Sequence, residues 1–538
     1  MVSKNQKIIE IVKQLAKQKI KSSEDFLNLV KELVKKYQIP LPGKVEIFNT
    51  YKSLRLKKKI QYHPFFEKLL KKRPVRSLSG VAVISVLTKP YPCPGKCLYC
   101  PKEKGFPKSY LAGEPAAERA KRLKFDPYRQ VKERIKSLKK QGHPTDKIEL
   151  IIIGASWTAY PENYKKWFIK RCFDGANDIG SERKIRRKVS KTLKEAQKIN
   201  EKASNRIVSI SIETRPDLIS PKEIFMMRKL GITKVELGVQ IADDKILEKN
   251  RRNHGLKEVI EATRLLKDAG FKICYHIMPG LYGSNPQKDL SAFKKLFTDS
   301  HFRPDYLKIY PCVVTYGSPL YKLWQKGKYK PYSDKTLIKL LIKMKKIVPP
   351  YVRIIRIFRD IPSPKILGGT KISNLRELVQ KEMKKKGIKC HCIRCREIKG
   401  QKLEKKNLKL VKREYEASGG KEFFLSFEDK KNEKLLAFLR LRLPSLKIKD
   451  LRLKILENAA IIRELHTYGE LVEIGKKKKR AIQHKNLGRK LVKEAERIVK
   501  SDPDLGIKRI VVIAGVGSRP YWRKLGYRLQ KTYMVKNI

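Results

Sequence analysis

Three cysteines stand in the stretch KPYPCPGKCLYCPKEK (residues 89–104): Cys93, Cys97 and Cys100, spaced C-x3-C-x2-C directly after the apolar run SGVAVISVL. Cysteine is scarce and clustered thiols oxidise readily unless a metal holds them, so the spacing points to a metal centre. Structural zinc closes its shell with four protein ligands, whereas a cubane iron-sulfur cluster on three cysteines leaves one iron open for chemistry. No fourth cysteine follows closely, which favours the open cluster; zinc or spare thiols are the alternative. A disulfide is disfavoured by the odd count and by an N-terminus without the pattern of a signal peptide.

A second trio, Cys390, Cys392 and Cys395, lies in KCHCIRC within a lysine-rich segment. Structural zinc is the expectation here, because a small linker with little core gains most from a metal staple. The fourth ligand is open: His391 is adjacent in sequence and awkwardly placed, and a distant Cys or His is the other choice. Cys172, Cys274 and Cys312 read as core or near-site residues. A third feature runs from Gln483 to Arg489 and opens a helical pattern, where free backbone N–H groups make a seat for pyrophosphate. An ordinary basic loop is the alternative.

The elements that must carry these groups follow from periodicity. From Val81 onward, short apolar runs (VAVISVL, IELIIIGA, IVSISIE, KVELGV, KICYHIM, YLKIYP, VRIIRIF) alternate with helical segments such as DPYRQVKERIKSLKKQG and LKEVIEATRLLKDAG. That rhythm predicts an α/β fold with a parallel sheet curled into a full or partial barrel, whose reactive groups follow the C-terminal ends of strands. The first cysteine loop sits where that rule places it. From about residue 405 the pattern becomes strand, strand, strand, helix, strand (EFFLSFED, KLLAFLRLRL, AAIIRELHTYG, QHKNLGRKLVKEAERIVK, IKRIVVIAGVG), a second α/β module.

Composition bounds the partners. Lys+Arg 127 against Asp+Glu 53 gives a formal net charge of +74 over 538 residues, far beyond what solubility needs, so a polyanion, nucleic acid above all, is the economical partner. A lineage-wide lysine bias is the bland contributor. Tyr and Phe are interleaved with Lys and Arg in YKSLRLKKKIQYHPFFEKLLKKRPVR, a mixture suited to phosphate contact and base stacking. No apolar stretch reaches the roughly 18 residues that span a bilayer, so no membrane partner and a cytoplasmic location are expected. The boundaries anticipated are 1–76 (basic N-terminal nucleic-acid-binding region), 77–372 (partial barrel), 373–404 (cysteine-rich linker) and 405–538 (second module).

RSLSGVAVISVLTKPYPCPGKCLYCP, GHPTDKIELIIIG, SIETRPDLIS, VELGVQ, DYLKIYP, RDIPSP, NLRELV, IIRELHTYG and GSRPYWRKLGYRLQ occur in this order from about Lys71 to the C-terminus. The set resembles the family of Elongator catalytic subunits, radical-SAM and GNAT-type acetyltransferases that modify the wobble uridine (position 34) of tRNA. The resemblance implies a [4Fe-4S] cluster on Cys93, Cys97 and Cys100, with S-adenosylmethionine chelating the open iron. Its reductive cleavage would give a 5′-deoxyadenosyl radical that takes hydrogen from the methyl group of acetyl-CoA. The carbon radical would add to carbon 5 of the uridine, and thioester hydrolysis would leave 5-carboxymethyluridine. Partners implied are tRNA and either accessory Elongator-like subunits or a second copy of the chain.

Residue by residue, Lys147, Glu464, Leu465, His466, Thr467, Leu487, Gly488, Arg489, Lys490, Tyr521 and Trp522 match positions that contact acetyl-CoA in that family, with Lys147, His466 and Tyr521 the candidates for catalysis. Gly154, Glu213, Arg215 and Gln240 follow barrel strands and are candidates for the S-adenosylmethionine or uridine pocket. An internal Glu213–Arg215 ion pair and a satisfied core histidine at His466 are the alternatives. Four departures from the family pattern stand out: Gly154-Ala155-Ser156 for Gly-Gly-Thr, Lys102-Glu103 for Gly-Gly after Pro101, Asn486 for glycine in the acetyl-CoA turn, and Tyr521-Trp522 for a Tyr-Tyr pair. Asn tolerates positive φ better than most residues, so the Asn486 turn is expected to survive. The competing functions are a protein lysine acetyltransferase using the second module alone, and a tRNA-binding protein whose radical chemistry has decayed.

Overall fold

The seven apolar runs become the strands of one parallel sheet. The computed structural model describes residues 3–18, 20–63, 66, 69–70, 79–179, 189–399, 407–469, 486–502 and 506–538. In it the strands are β1 (Ala82–Leu87), β2 (Lys147–Ile153), β3 (Arg206–Thr214), β4 (Lys234–Gln240), β5 (Lys272–Ile277), β6 (Tyr306–Ile309) and β8 (Arg353–Ile357), adjacent in that order. A two-stranded antiparallel ribbon of β7 (Val314–Thr315) and β9 (Ile366–Gly368) lies outside the sheet. All six neighbouring pairs are parallel, and β1 and β8 remain the two edges, so the barrel is partial.

Helices cover its outer face for reasons legible in the chain. Leu256–Asp268 buries Leu256, Val259, Ala262, Thr263 and Leu266 along one stripe, and Glu258 caps the Gly255 N–H. Pro127–Lys140 starts on Asp126, whose carboxylate accepts from the Arg129 N–H at 2.9 Å, with proline at the first helical position. Both helices run into the glycines expected to stop them, Gly142 and Gly270, at φ +81° and +85°. On β1 and β2 the residues under the helices (Ala82, Ile84, Val86; Ile148, Leu150, Ile152) are buried, while Val83, Ser85, Lys147, Glu149, Ile151 and Ile153, which alternate with them and face the interior, are half-exposed. A filled (β/α) barrel would bury both sets, so this interior is hollow.

The second sheet has the order β10-β11-β12-β13-β14-β16-β15, with β10 (Leu408–Ala417), β11 (Gly420–Asp429), β12 (Lys434–Leu443), β13 (Ala459–Thr467), β14 (Arg509–Val512), β15 (Arg528–Gln530) and β16 (Tyr533–Asn537). β10 is absent from the strands read off the sequence. LKLVKREYEA carries a charge at five of its ten positions, which is how an edge strand protects itself and also what hides it from an apolar-run search. The C-terminal run likewise divides into the short helix Arg519–Arg523 and the β15/β16 hairpin. β13 and β14 are the one parallel pair, and they pair only between residues 459–462 and 509–512. Beyond Ile462, β13 continues paired with β12 but without β14, and a cleft opens.

Barrel and second sheet are locked by buried charges. Arg463 of β13 donates to Asp305 (3.0 and 2.5 Å) and Glu422 (2.9 Å), and Arg442 of β12 donates to Asp268 (2.9 and 2.6 Å). Arg440 reaches Glu464 at 3.0 Å and Asp305 at 3.5 Å, and all three arginines are inaccessible to solvent. Gly515 lets the turn after β14 lie on β3, since a Cβ there would stand 2.0 Å from the Val208 carbonyl oxygen.

The N-terminal helices Lys4–Lys17, Ser23–Tyr37 and Lys44–Leu56 have a separate core of residues such as Ile11, Leu15, Phe26, Val30, Ile47 and Tyr51. Ser3 and Ser22 close capping boxes on the first two. Residues 71–76 of the anticipated basic region lie outside the described residues, as do residues 77–78 and 400–404 at the other anticipated boundaries. Among the described residues no helix is long and apolar enough to cross a membrane.

Candidate active site

Two cavities occupy opposite ends of the barrel. The upper, of about 750 Å³, lies at the C-terminal ends of the strands and is lined by Cys93, Cys97 and Cys100 together with Glu213, Arg215 and Gln240. The thiols are spread apart rather than gathered: among the described residues the trios with donor atoms all within 4.8 Å are Cys390, Cys392, Cys395 and Glu236, Cys274, His276. A single ion needs the close grouping, because Zn–S bonds of about 2.3 Å set sulfurs roughly 3.8 Å apart. A cubane, which takes one thiolate on each of three irons, suits the wider one.

Charge in this cavity is arranged for an anion. Arg252 Nη1 donates to Cys97 Sγ at 3.3 Å and to the Tyr99 hydroxyl at 3.0 Å. Burial alone would raise the Cys97 thiol, but Arg252 and Arg215 override it and hold its pKa below the ordinary value. Arg215 does not pair with Glu213: it grips Asp217 (2.9 and 3.0 Å) and the Arg252 carbonyl (2.7 Å), leaving its Nη1 buried without a hydrogen-bond partner beside the cysteine loop. Gln240, at φ +73°, likewise leaves Oε1 buried and unbonded. One orphaned donor and one orphaned acceptor fit the carboxylate and ammonium of an amino-acid group, as S-adenosylmethionine carries. Glu213 accepts from Tyr110 (2.7 Å) and Lys308 (3.4 Å).

The structure also explains the Gly154-Ala155-Ser156 departure. Gly154 is not among the lining residues; a Cβ there would fall 1.9 Å from Thr88 Oγ1, so the position is closed to any side chain. Ala155, which does line the cavity, sits at φ +70°, a left-handed backbone that costs an alanine free energy. Ala155→Gly is expected to stabilise the fold by about 1 kcal/mol, seen as a raised denaturant midpoint at unchanged slope.

The lower cavity, about 800 Å³, fills the cleft where β13 and β14 part and continues into the N-terminal end of the barrel. It gathers Lys147, Glu464, Leu465, His466, Thr467, Gly488, Arg489, Tyr521 and Trp522. Leu487 and Lys490 stand apart: the first is buried in the core, the second exposed. Asn486 caps the helix Leu487–Lys500 at φ +56°, the conformation its family-atypical side chain was expected to tolerate; Gln483 to Lys485 lie outside the described residues. Gly488 lets the Tyr521 hydroxyl approach the helix start, where a Cβ would be 2.9 Å from it. Burial raises the Tyr521 phenol, with Arg489 opposing, so it stays protonated and able to donate at neutral pH.

His466 Nε2 donates to the Ser79 carbonyl at 2.7 Å, which leaves Nδ1 as an acceptor, and its ring stacks on Phe438. Burial lowers its pKa, so it is neutral at pH 7. It is thus both a satisfied histidine and a cavity wall. Glu464 is committed elsewhere, holding Arg440 and accepting from Tyr306, whereas burial lowers the Lys147 ammonium. Trp522 is buried, with its ring edge-on to Tyr527 at 5.4 Å.

The sequence reading did not single out Arg252, Glu236, His276 and Lys308. His276 Nε2 lies 2.8 Å from Glu236, and Lys308 pairs with Glu236 as well as Glu213. The available signal was a charged or ionisable residue inside an otherwise apolar strand (KVELGV, KICYHIM, YLKIYP), which only an inward-facing polar site explains.

The second cysteine trio joins the helices Leu375–Lys385 and Ile393–Arg396, with Lys345 Nζ 3.6 Å from Cys395 Sγ. His391 is exposed and outside the trio.

Residues 91–294 match the Radical SAM superfamily and residues 304–385 the Radical_SAM C-terminal domain. A tRNA uridine(34) acetyltransferase of Methanocaldococcus jannaschii is 48% identical over 483 residues, 87% of each chain. Elongator complex protein 3 of Bos taurus is 39% identical over 89% of this chain and 88% of its own. The chain belongs to the Elongator complex protein 3 family. The solved archaeal Elp3 of Methanocaldococcus infernus with an N-terminal deletion (1–46) overlays this fold with a TM-score of 0.73 at 44% identity, over 86% of this chain and all of that one. Membership of the radical-SAM group brings a [4Fe-4S] cluster and S-adenosylmethionine to this Elongator-family chain, and the upper cavity is the site whose residues fit them.

Proposed function

We propose that this protein is a tRNA wobble-uridine (position 34) acetyltransferase that forms 5-carboxymethyluridine from acetyl-CoA. The observation that carries the reading is the pairing of a three-thiol, arginine-rich cavity with a second cavity at a helix N-terminus, on one barrel, in a chain whose relatives bear that name. When bound, the cluster and S-adenosylmethionine supply one-electron chemistry at an unactivated C–H bond, which side-chain acids and bases cannot do. Cys93, Cys97 and Cys100 hold the cluster, Arg252 neutralises thiolate charge, and Arg215 and Gln240 orient the methionine end. The N–H groups that open the helix Leu487–Lys500, with Arg489, receive the pyrophosphate of acetyl-CoA. Tyr521 donates to the thioester region, and Lys147 adds a cationic point charge.

tRNA is the proposed polyanion, drawn by the excess of 127 basic over 53 acidic side chains. A zinc ion on Cys390, Cys392 and Cys395 is proposed to staple the linker. The substitutions that suggested decayed chemistry, Ala155 and Asn486, both keep the left-handed backbone a glycine would supply, which supports a working site. The test is mass spectrometry of unmodified tRNA incubated anaerobically with reduced protein, S-adenosylmethionine and acetyl-CoA. 5-Carboxymethyluridine at position 34 is expected, and its absence with cluster-replete protein would overturn the reading.

A further inference from the structure

The two cavities meet. Along β2 the lower one reaches Lys147, Glu149 and Ile151, and the upper one takes Ile151 and Ile153. β1 repeats this at Val83, between Val81 below and Ser85 above, and β8 repeats it at Ile355, between Arg353 and Ile357. Val83, Ile151 and Ile355 face both spaces, and with them stands Arg394, from the short helix Ile393–Arg396 that carries Cys395 of the second trio. All four are half-exposed although they lie inside the barrel, so the layer they form is a constriction and not a plug.

On the β3 to β6 side no residue is common to the two cavities, and polar side chains there are bonded to one another. Ser211 donates to Glu236 at 2.9 Å, and the fully buried Glu236 is held by His276 and Lys308. The seam where the two spaces adjoin therefore lies on the β8, β1 and β2 side. Its three walls are aliphatic and its one polar group is a guanidinium. An acyl thioester has the same pattern, an apolar methyl next to a carbonyl that accepts hydrogen bonds.

We propose that this waist is the passage through which the acetyl end of acetyl-CoA passes from the lower cavity towards the upper one, with Val83, Ile151 and Ile355 as walls and Arg394 as the group that holds the thioester at the constriction. The proposal rests on the reading that the lower cavity takes acetyl-CoA. It makes these four residues positioning residues that set how large an acyl group can pass, and it gives the second cysteine trio a purpose beyond stapling, since the trio fixes the short helix that presents Arg394.

The test uses the full-length, cluster-replete protein. With acetyl-CoA carrying 13C in its methyl group, the reduced cluster of the wild type is expected to show a 13C hyperfine coupling, and Ile355→Trp is expected to lose it. The same variant should bind acetyl-CoA and S-adenosylmethionine within about threefold of wild type. Its carboxymethyluridine formation should fall by about 100-fold, because the reacting groups no longer meet. Wild-type protein that binds the labelled acetyl-CoA without coupling would overturn the passage, and that measurement needs no variant to fold. So would Ile355→Trp forming carboxymethyluridine at the wild-type rate. Wild type that forms no carboxymethyluridine at all, or fails to bind acetyl-CoA, would instead overturn the underlying functional reading.

Discussion

Asp305→Ala is expected to destabilise the protein by about 3–5 kcal/mol, the cost of stranding buried charge, and to move its urea midpoint accordingly. Asp305 has no solvent exposure. Its carboxylate accepts from Arg463 Nη1 and Nη2 at 3.0 and 2.5 Å and from the Ile273 N–H at 2.8 Å, and Arg440 lies 3.5 Å away. Removing it leaves Arg463 with Glu422 as its one carboxylate partner beside the Phe271 carbonyl, and a backbone N–H without its acceptor, in a region water cannot reach. The exposed pair Lys389–Glu433 is the contrast: its side chains are 68% and 53% accessible, and Glu433→Ala should leave the midpoint unmoved within error.

The same network sets the acid limit of the fold. Burial alone would raise Asp305, but Arg463, Lys267 and Arg440 hold its carboxyl far below the usual range, and Arg463 and Lys267 lower Glu422 against the same burial. A carboxylate depressed on folding contributes fully above its unfolded pKa, about 4, and that contribution fades as pH falls towards the folded value. Wild-type stability should therefore drop below about pH 4, and the gap between wild type and Asp305→Ala should narrow there.

What the chain disclosed in advance and what it hid differ in range. The seven barrel runs, the Gly142 and Gly270 stops and the cysteine loop after β1 were legible because periodicity, helix capping and strand-end placement act over a few residues. The charge-rich edge strand β10 was not legible, since its one-sided environment exists only once β11 is beside it. Nor was the choice of partners: Arg215 takes Asp217, two residues on, instead of Glu213, and Glu464 takes Arg440 of the neighbouring strand instead of a ligand, choices that the folded loop and strands decide. Two motifs known from resemblance, the cysteine loop and the helix start at Asn486, said nothing of their separation. Only the alternation on β1 and β2, half-exposed inward and buried outward, shows that a hollow barrel lies between them.

Cys97→Ala should reduce iron and inorganic sulfide to background in anaerobically reconstituted protein while leaving zinc at one equivalent; Cys392→Ala should do the reverse. The expectation follows from ligand geometry. Cys390, Cys392 and Cys395 place their sulfurs within 4.8 Å of one another, close enough for one ion, and sit where the helices Leu375–Lys385 and Ile393–Arg396 meet. The first trio is wider, faces a cavity of about 750 Å³, and is served by two arginines that favour an anionic centre. A cluster that has lost one of three protein ligands keeps too few bonds to persist, so the effect should be near-complete and carboxymethyluridine formation should vanish with it. Acetyl-CoA affinity should be unchanged, because the cleft between β13 and β14 shares no residue with the cysteine loop. For Cys392→Ala the prediction is subtler. Iron stays, but the short helix bearing Arg394, which starts on Cys392, loosens, so radical chemistry should continue on S-adenosylmethionine while transfer to tRNA weakens, separating the staple's role from the cluster's.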